Sequence, residues 1–166
     1  MRGVKINDID QVWSTDITYI RMVNGFLYLT AVIDWYSRYV LAWQISNSLD
    51  GLFCREVLLK ALETNQPGIF NTDQGSQYTS PDFISILTGR GIKPSMDGRG
   101  RALDNIFIER LWRTVKYENI YIRSYQNGNE LQKGLKQYFK YYNEERPHMS
   151  LKYRCPADVY RGGIIV

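Results

Sequence analysis

Apolar and polar residues alternate from Val12 to Ile20 (VWSTDITYI), and many are β-branched or aromatic, which predicts a strand. The Asn24-Gly25 turn signal separates it from a second run, FLYLTAVID, and Ser37-Arg38 separates that from a third, YVLAWQI, completing a three-stranded meander. Because the second run is almost continuously apolar, it is expected to be buried on both faces, with helices above and below. Residues near 50–64 place Leu49, Phe53, Val57, Leu58, Ala61 and Leu62 at helical spacing before Pro67-Gly68 ends the segment. A short strand, IFNT, follows. Ser80-Pro81-Asp82 then supplies an N-cap and a first-turn proline for a helix through Phe83, Ile84 and Leu87. After IKPSM, the polar stretch DGRGRALDN predicts a mobile loop leading into a helix striped with Ile108, Leu111, Trp112 and Val115. A last helix, near 129–143, repeats Leu131, Leu135, Tyr138, Phe139 and Tyr142. The order β-β-β-α-β-α-β-α-α predicts an α/β sandwich around a mixed five-stranded sheet.

The chain's 166 residues suit one domain, with the sheet over about 10–120 and a helical extension over about 121–166. At 44% hydrophobic and 23% charged it lies outside the disordered class, and no apolar run has a membrane span's length. The polar opening MRGVKINDID is unlike a signal peptide, so an intracellular protein is expected. Cys54 and Cys155 form no C-x-x-C pair and signal neither zinc nor a disulfide framework. The sole histidine, His148, cannot build a His-rich metal site, and its Pro-containing connection favours packing or capping over chemistry. Carboxylates are left to carry any chemistry, and oxygen ligands select hard cations such as Mg²⁺ or Mn²⁺. The net charge of +4 is uneven: residues 1–109 hold 10 Lys/Arg against 12 Asp/Glu, and residues 110–166 hold 11 against 5. A basic C-terminal third fits a polyanionic partner.

Three acids stand at ends or breaks of the pattern. Asp16 interrupts the first strand, Asp73 follows the fourth, and Glu109 begins the helix after the polar loop, with 35 residues between the last two. Taken singly, Asp16 reads equally as a solvent-facing edge residue, Asp73 as a turn residue and Glu109 as a solvated helix residue. With this spacing the sequence resembles the D,D(35)E transposases and retroviral integrases, and more closely the insertion-sequence transposases of the IS-three family. WSTDITYI, DWYSR, TDQGSQYTS, GRALDNIFIERLWRTVKYE, YYNEERPH and LKYRCPADVY carry the resemblance in order over almost the whole chain.

The resemblance implies an RNase H-like fold and metal-dependent DNA cleavage and strand transfer, with Asp16, Asp73 and Glu109 as catalytic metal ligands for Mg²⁺, Mn²⁺ substituting. Asp16 and Asp73 are then expected side by side, and the start of the Glu109 helix is free to swing. On a helical wheel Arg113 and Lys116 fall within roughly 40° of Glu109, so either they hold DNA near the acids or they pair with Glu109. Gln74, Gly75 and Ser76 are candidates for phosphate contact, Asn105 for orienting the loop or capping the helix. Asp34 is expected to pair with Arg38 or to start the DWYSR turn. In YFKYY, Tyr138, Phe139 and Tyr142 are assigned to the core, leaving Lys140 and Tyr141 to face outward. DNA, as element ends and target, is the implied partner, in a homo-oligomeric complex in the bacterial cytoplasm or nucleoid. No helix-turn-helix or zinc module precedes residue 13, so end recognition is expected in a missing N-terminal region or on another chain. The rival readings are an RNase H-type or junction nuclease and a catalytically idle DNA-binding copy.

Overall fold

A computed structural model describes residues 5–96 and 105–162. Strands β1 (Val12–Arg21), β2 (Phe26–Asp34) and β3 (Val40–Ser46) form the meander, and β4 (Ile69–Thr72) and β5 (Lys93–Met96) extend the sheet on the other side of β1. The strand order is β3-β2-β1-β4-β5. β1–β2 and β2–β3 pair antiparallel, whereas β1–β4 and β4–β5 are parallel, so the sheet is mixed as the pattern predicts.

Helices cover both faces. On one, α1 (Gly51–Ala61) and α3 (Pro81–Thr88) bury Phe53, Val57, Leu58, Phe83 and Leu87 against Trp13, Val32 and Phe70. On the other, α4 (Ile106–Val115) and α6 (Gly128–Glu144) bury Ile108, Leu111, Trp112, Leu131 and Leu135 against Ile20, Leu29, Ala31 and Ile33. Alternate residues of β2 therefore feed two cores, which explains its nearly unbroken apolar sequence.

Local signals set most boundaries. Asp50 caps α1 by accepting from the Leu52 and Phe53 amides, so the helix begins after Leu49, which is exposed rather than part of the apolar stripe. Ser80 caps α3, with Pro81 in its first turn. Further elements were not anticipated: the short α2 (Ser76–Thr79), α5 (Tyr121–Arg123) and α7 (Pro156–Tyr160), a 3-10 turn (Met149–Leu151) and a π-helical turn (Lys116–Ile120). The expected mobility of 97–104 lies outside the described residues. Among the described residues no helix is long and apolar enough to cross a membrane.

Candidate active site

Parallel pairing of β1 with β4 brings two of the acids together. The register runs Val12↔Ile69, Trp13↔Phe70 and Ser14↔Asn71, with Asp16 two residues further along β1 and Asp73 just past the end of β4. Both line one cleft of about 210 Å³, with Tyr19, Tyr28 and Gln77. Asp16 lies on the sheet face covered by α4, where the Trp112 indole Nε1 donates to its Oδ2 at 3.0 Å. Burial pushes the Asp16 carboxyl up to about 6; hydrogen bonds from the Ile17 amide and Trp112 act the other way, and the charges of Asp73 and Glu109 add to the rise. Glu109, exposed in the first turn of α4, is thus close enough to be felt by Asp16, although it does not line the cleft. Among the described residues no three acids, histidines or cysteines are gathered tightly enough to hold a metal ion.

Asp73 is held by its own loop. Its Oδ1 accepts from the Gly75 amide at 2.8 Å. A Cβ on Gly75 would lie 2.9 Å from that oxygen and 2.9 Å from Gln77 Oε1, so a larger residue here would displace one of these two side-chain ends. The Gly75 amide, a candidate for phosphate contact, is therefore engaged by Asp73. Gln74 and Ser76 are exposed beside it.

Asn105 sits at the N-cap position of α4 without capping it. Its side chain is buried and donates to the Thr15 carbonyl at 3.4 Å, tethering the helix start to β1 one residue before Asp16. Its Oδ1 is buried without a hydrogen-bond partner. Arg113 is exposed one turn beyond Glu109, and Lys116 is partly buried with Nζ 5.4 Å from the centre of the Tyr19 ring. Burial lowers the Lys116 pKa while Asp16 opposes that shift, so this ammonium lies in the field of Asp16. Lys116 also opens the π-helical turn, where the regular wheel used for its placement ends.

Other signature residues are structural. Asp34 is buried and accepts from Ser37 N at 2.7 Å, Ser37 Oγ at 2.6 Å and Asp10 N at 2.9 Å, so it builds the DWYSR turn. Asp34 also acts on Arg38 electrostatically and accepts from Arg38 N at 2.9 Å through its carbonyl, while the guanidinium itself lies 3.8 Å above the Phe107 ring rather than against the carboxylate. Arg146 grips Glu118 of the π-helical turn through Nε at 2.7 Å and Nη2 at 2.5 Å. His148 packs edge-on against Tyr142, and burial beside Arg146 and Arg38 takes its pKa down to about 4, leaving it neutral. Tyr138, Phe139 and Tyr142 are buried, while Lys140 and Tyr141 face out.

The fold coincides with a known protein class. Residues 7–102 match one family profile described as "Integrase core domain" and residues 90–156 match a second of the same description. The chain belongs to the integrase core domain family. It is 37% identical over 153 residues to the transposase for insertion sequence element IS904 of Lactococcus lactis subsp. lactis (strain IL1403), covering 90% of this chain and 60% of that protein. It is 31% identical over 166 residues to the putative transposase InsK for insertion sequence element IS150 of Escherichia coli (strain K12), covering 95% and 56%. The chain thus spans little more than half the length of these relatives. The fold is that of retroviral integrase catalytic cores, which is RNase H-like. The HTLV-2 integrase catalytic core domain in complex with magnesium superposes with TM-score 0.74 at 16% identity, covering 92% of this chain and 97% of that one. A chain of the simian T-cell lymphotropic virus intasome in complex with PP2A regulatory subunit B56 gamma superposes with TM-score 0.79 at 18% identity, covering 92% of this chain and 55% of that one.

Proposed function

We propose that this chain is the catalytic core of an insertion-sequence transposase, cutting DNA and joining the cut strand to a new site. The observation that supports the reading is that Asp16 on β1 and Asp73, just past the end of β4, line one cleft, and that Asp73 and Glu109 both act on Asp16 electrostatically. A half-buried carboxylate facing two further acids is a poor arrangement for a structural role and a good one for a cation. All three donors are oxygens, which fits Mg²⁺ or Mn²⁺. Asp16, Asp73 and Glu109 are the residues that would hold such ions. When bound, a pair of divalent cations supplies Lewis-acid activation of the attacking oxygen and charge stabilisation of the leaving oxygen.

The chain's own residues do the positioning. Gly75 N–H and Trp112 Nε1–H each hold one aspartate oxygen, limiting rotation of both carboxylates. Asn105 fixes the start of α4 to β1, so Glu109 moves with that tether. Arg113 and Lys116 follow Glu109 on α4 and its extension and are assigned to DNA phosphates. Water attacks one phosphodiester and its P–O bond breaks to leave a 3′-hydroxyl; that hydroxyl then attacks a second phosphodiester, forming one P–O bond as another breaks. In the active complex several copies of the chain bring the element ends and target together.

Nicking and strand-transfer assays on labelled element-end DNA test the reading. Asp16→Asn, Asp73→Asn and Glu109→Gln are each expected to abolish Mg²⁺-dependent product while retaining the parent's circular dichroism spectrum. Full activity in excess chelator, or in the Asp73→Asn protein, would overturn it.

A further inference from the structure

On the flank of the molecule next to α4, the turn after β2, Phe107 and the 3-10 turn with its exit surround a crevice of about 440 Å³. Arg38, Lys152 and Arg154 line it together with Ser150, Trp35 and Phe107, and among the described residues no carboxylate does. Arg38 is the unusual member. Its guanidinium lies over the Phe107 ring, and its Nη1 is buried without a hydrogen-bond partner. The nearest acid in sequence, Asp34, already accepts through both oxygens from Ser37 and Asp10. Asp34 acts on Arg38 at a distance, but with its own oxygens engaged it leaves the buried Nη1 without an acceptor, and an anion in the crevice is what would supply one.

Two independent features agree. Two residues that line the crevice, Arg38 (φ 65°) and Lys152 (φ 54°), adopt left-handed backbone conformations unfavourable for residues with a Cβ, so the fold keeps strained backbone on both sides of it. Cations also gather nearby: Arg110, one helical turn beyond Phe107, repels Arg38 while Asp34 and Tyr142 oppose it, and Arg38 and Arg146 both help hold His148 neutral against Glu118.

We propose that this crevice is an anion site that receives a phosphate group of a DNA backbone. The assignment to DNA rests on the transposase reading above and extends it. The crevice is tied to the acids through shared elements: Trp35 Nε1 donates to Ser14 Oγ at 2.8 Å, two residues before Asp16, and Phe107 lies two residues before Glu109. A strand anchored here meets Arg110 and Arg113, both exposed on α4, as it runs toward Asp16. The planar fork of Arg38 and the mobile ammonium of Lys152 suit a phosphodiester's two free oxygens.

The test uses the Asp73→Asn chain in chelator, so that neither turnover nor metal contributes. A ¹⁵N-labelled sample is titrated with a short DNA duplex and, separately, with inorganic phosphate. DNA is expected to shift the backbone amides of Arg38, Phe107 and residues 150–154. Lys152→Gln and Arg154→Gln should each weaken binding irrespective of sequence, and each should reduce the salt slope of log K by about 0.9. Lys60→Gln, on α1 across the sheet, should leave the slope unchanged. Shifts produced by inorganic phosphate but not by DNA would overturn the proposal in favour of a small-anion site. Lys152→Gln and Arg154→Gln variants that keep the parent slope would overturn it as well. Because no cleavage is measured, loss of strand transfer in the wild-type chain would sink the transposase reading without touching this result.

Discussion

At Asp16 the chain holds a carboxylate where its own packing resists one. Burial raises this group from 3.8 to about 6, so between those values the folded chain keeps a proton that the unfolded chain has released. Unfolding then releases a proton, and the contribution to stability falls as pH rises from 3.8 through 6, by about 3 kcal/mol in all. Asp16→Asn removes the ionisation but keeps an acceptor for Trp112, so the metal-free variant should melt above the parent at about pH 7, with the gap closing toward pH 4. Differential scanning calorimetry at the two pH values decides it; a variant less stable than the parent at neutral pH would contradict the account. Trp112→Phe tests the other half of the contact. The ring is kept, but a donor to a charged acceptor is lost, which costs about 1.5–3 kcal/mol where Asp16 is ionised and less where it is protonated. Urea unfolding should therefore show a larger loss above pH 6 than below pH 4. A pattern-breaking aspartate in an apolar strand was readable from sequence alone. Its partner was not: Trp112 is 96 positions away, and its place in an apolar stripe announces packing, not an indole N–H aimed at a carboxylate.

Elements were legible wherever one residue type forces a local choice. The β2 and β4 boundaries follow the apolar runs, and α3 begins where a serine cap meets a proline. Elements fixed by long-range contacts were not. The π-helical turn lies inside a segment whose composition suits an ordinary helix, and the Glu118–Arg146 pair and the Tyr138 hydroxyl, which donates to Glu118 at 2.9 Å, anchor it from 20 to 28 residues away. The seat of α6 on the sheet is a similar case. The β2–β3 register shifts between Val32 and Ile33, and beside that irregularity Asn143 accepts from Val40 N and donates to Val40 O, both at 2.9 Å, within a buried contact. Nothing near Asn143 in sequence marks it as a clamp, because its partner lies 103 positions earlier. Asn143→Ala would strand a buried amide and a buried carbonyl at once, and the expected loss is about 2–4 kcal/mol. Chemical denaturation measures it; a loss no larger than that of an exposed α6 substitution such as Lys140→Ala would show that water replaces the clamp.

On the transposase reading proposed above, the whole molecule has to meet DNA. Its acids and its basic third are separate in sequence, yet folding sets α4, with Arg110 and Arg113 exposed, directly against the strand that carries Asp16. The family resemblance made that convergence legible, whereas charge counting alone showed only that the C-terminal third is basic. Both α4 and α6 spend their apolar faces on the sheet, and among their exposed residues Arg110, Arg113, Lys133, Lys136 and Lys140 are the side chains suited to phosphates. Binding by this chain should therefore be driven by counterion release, with little preference for one sequence over another. Fluorescence anisotropy with an element-end duplex and a scrambled duplex is expected to give affinities within about tenfold of each other, both falling steeply with salt. Removing Arg113 or Lys116 should weaken the two duplexes equally and lower each salt slope by about one. If the element end were instead bound several orders of magnitude more tightly, a base-reading surface would have to exist within this chain, and the assignment of its exposed cations to phosphate contacts would fail.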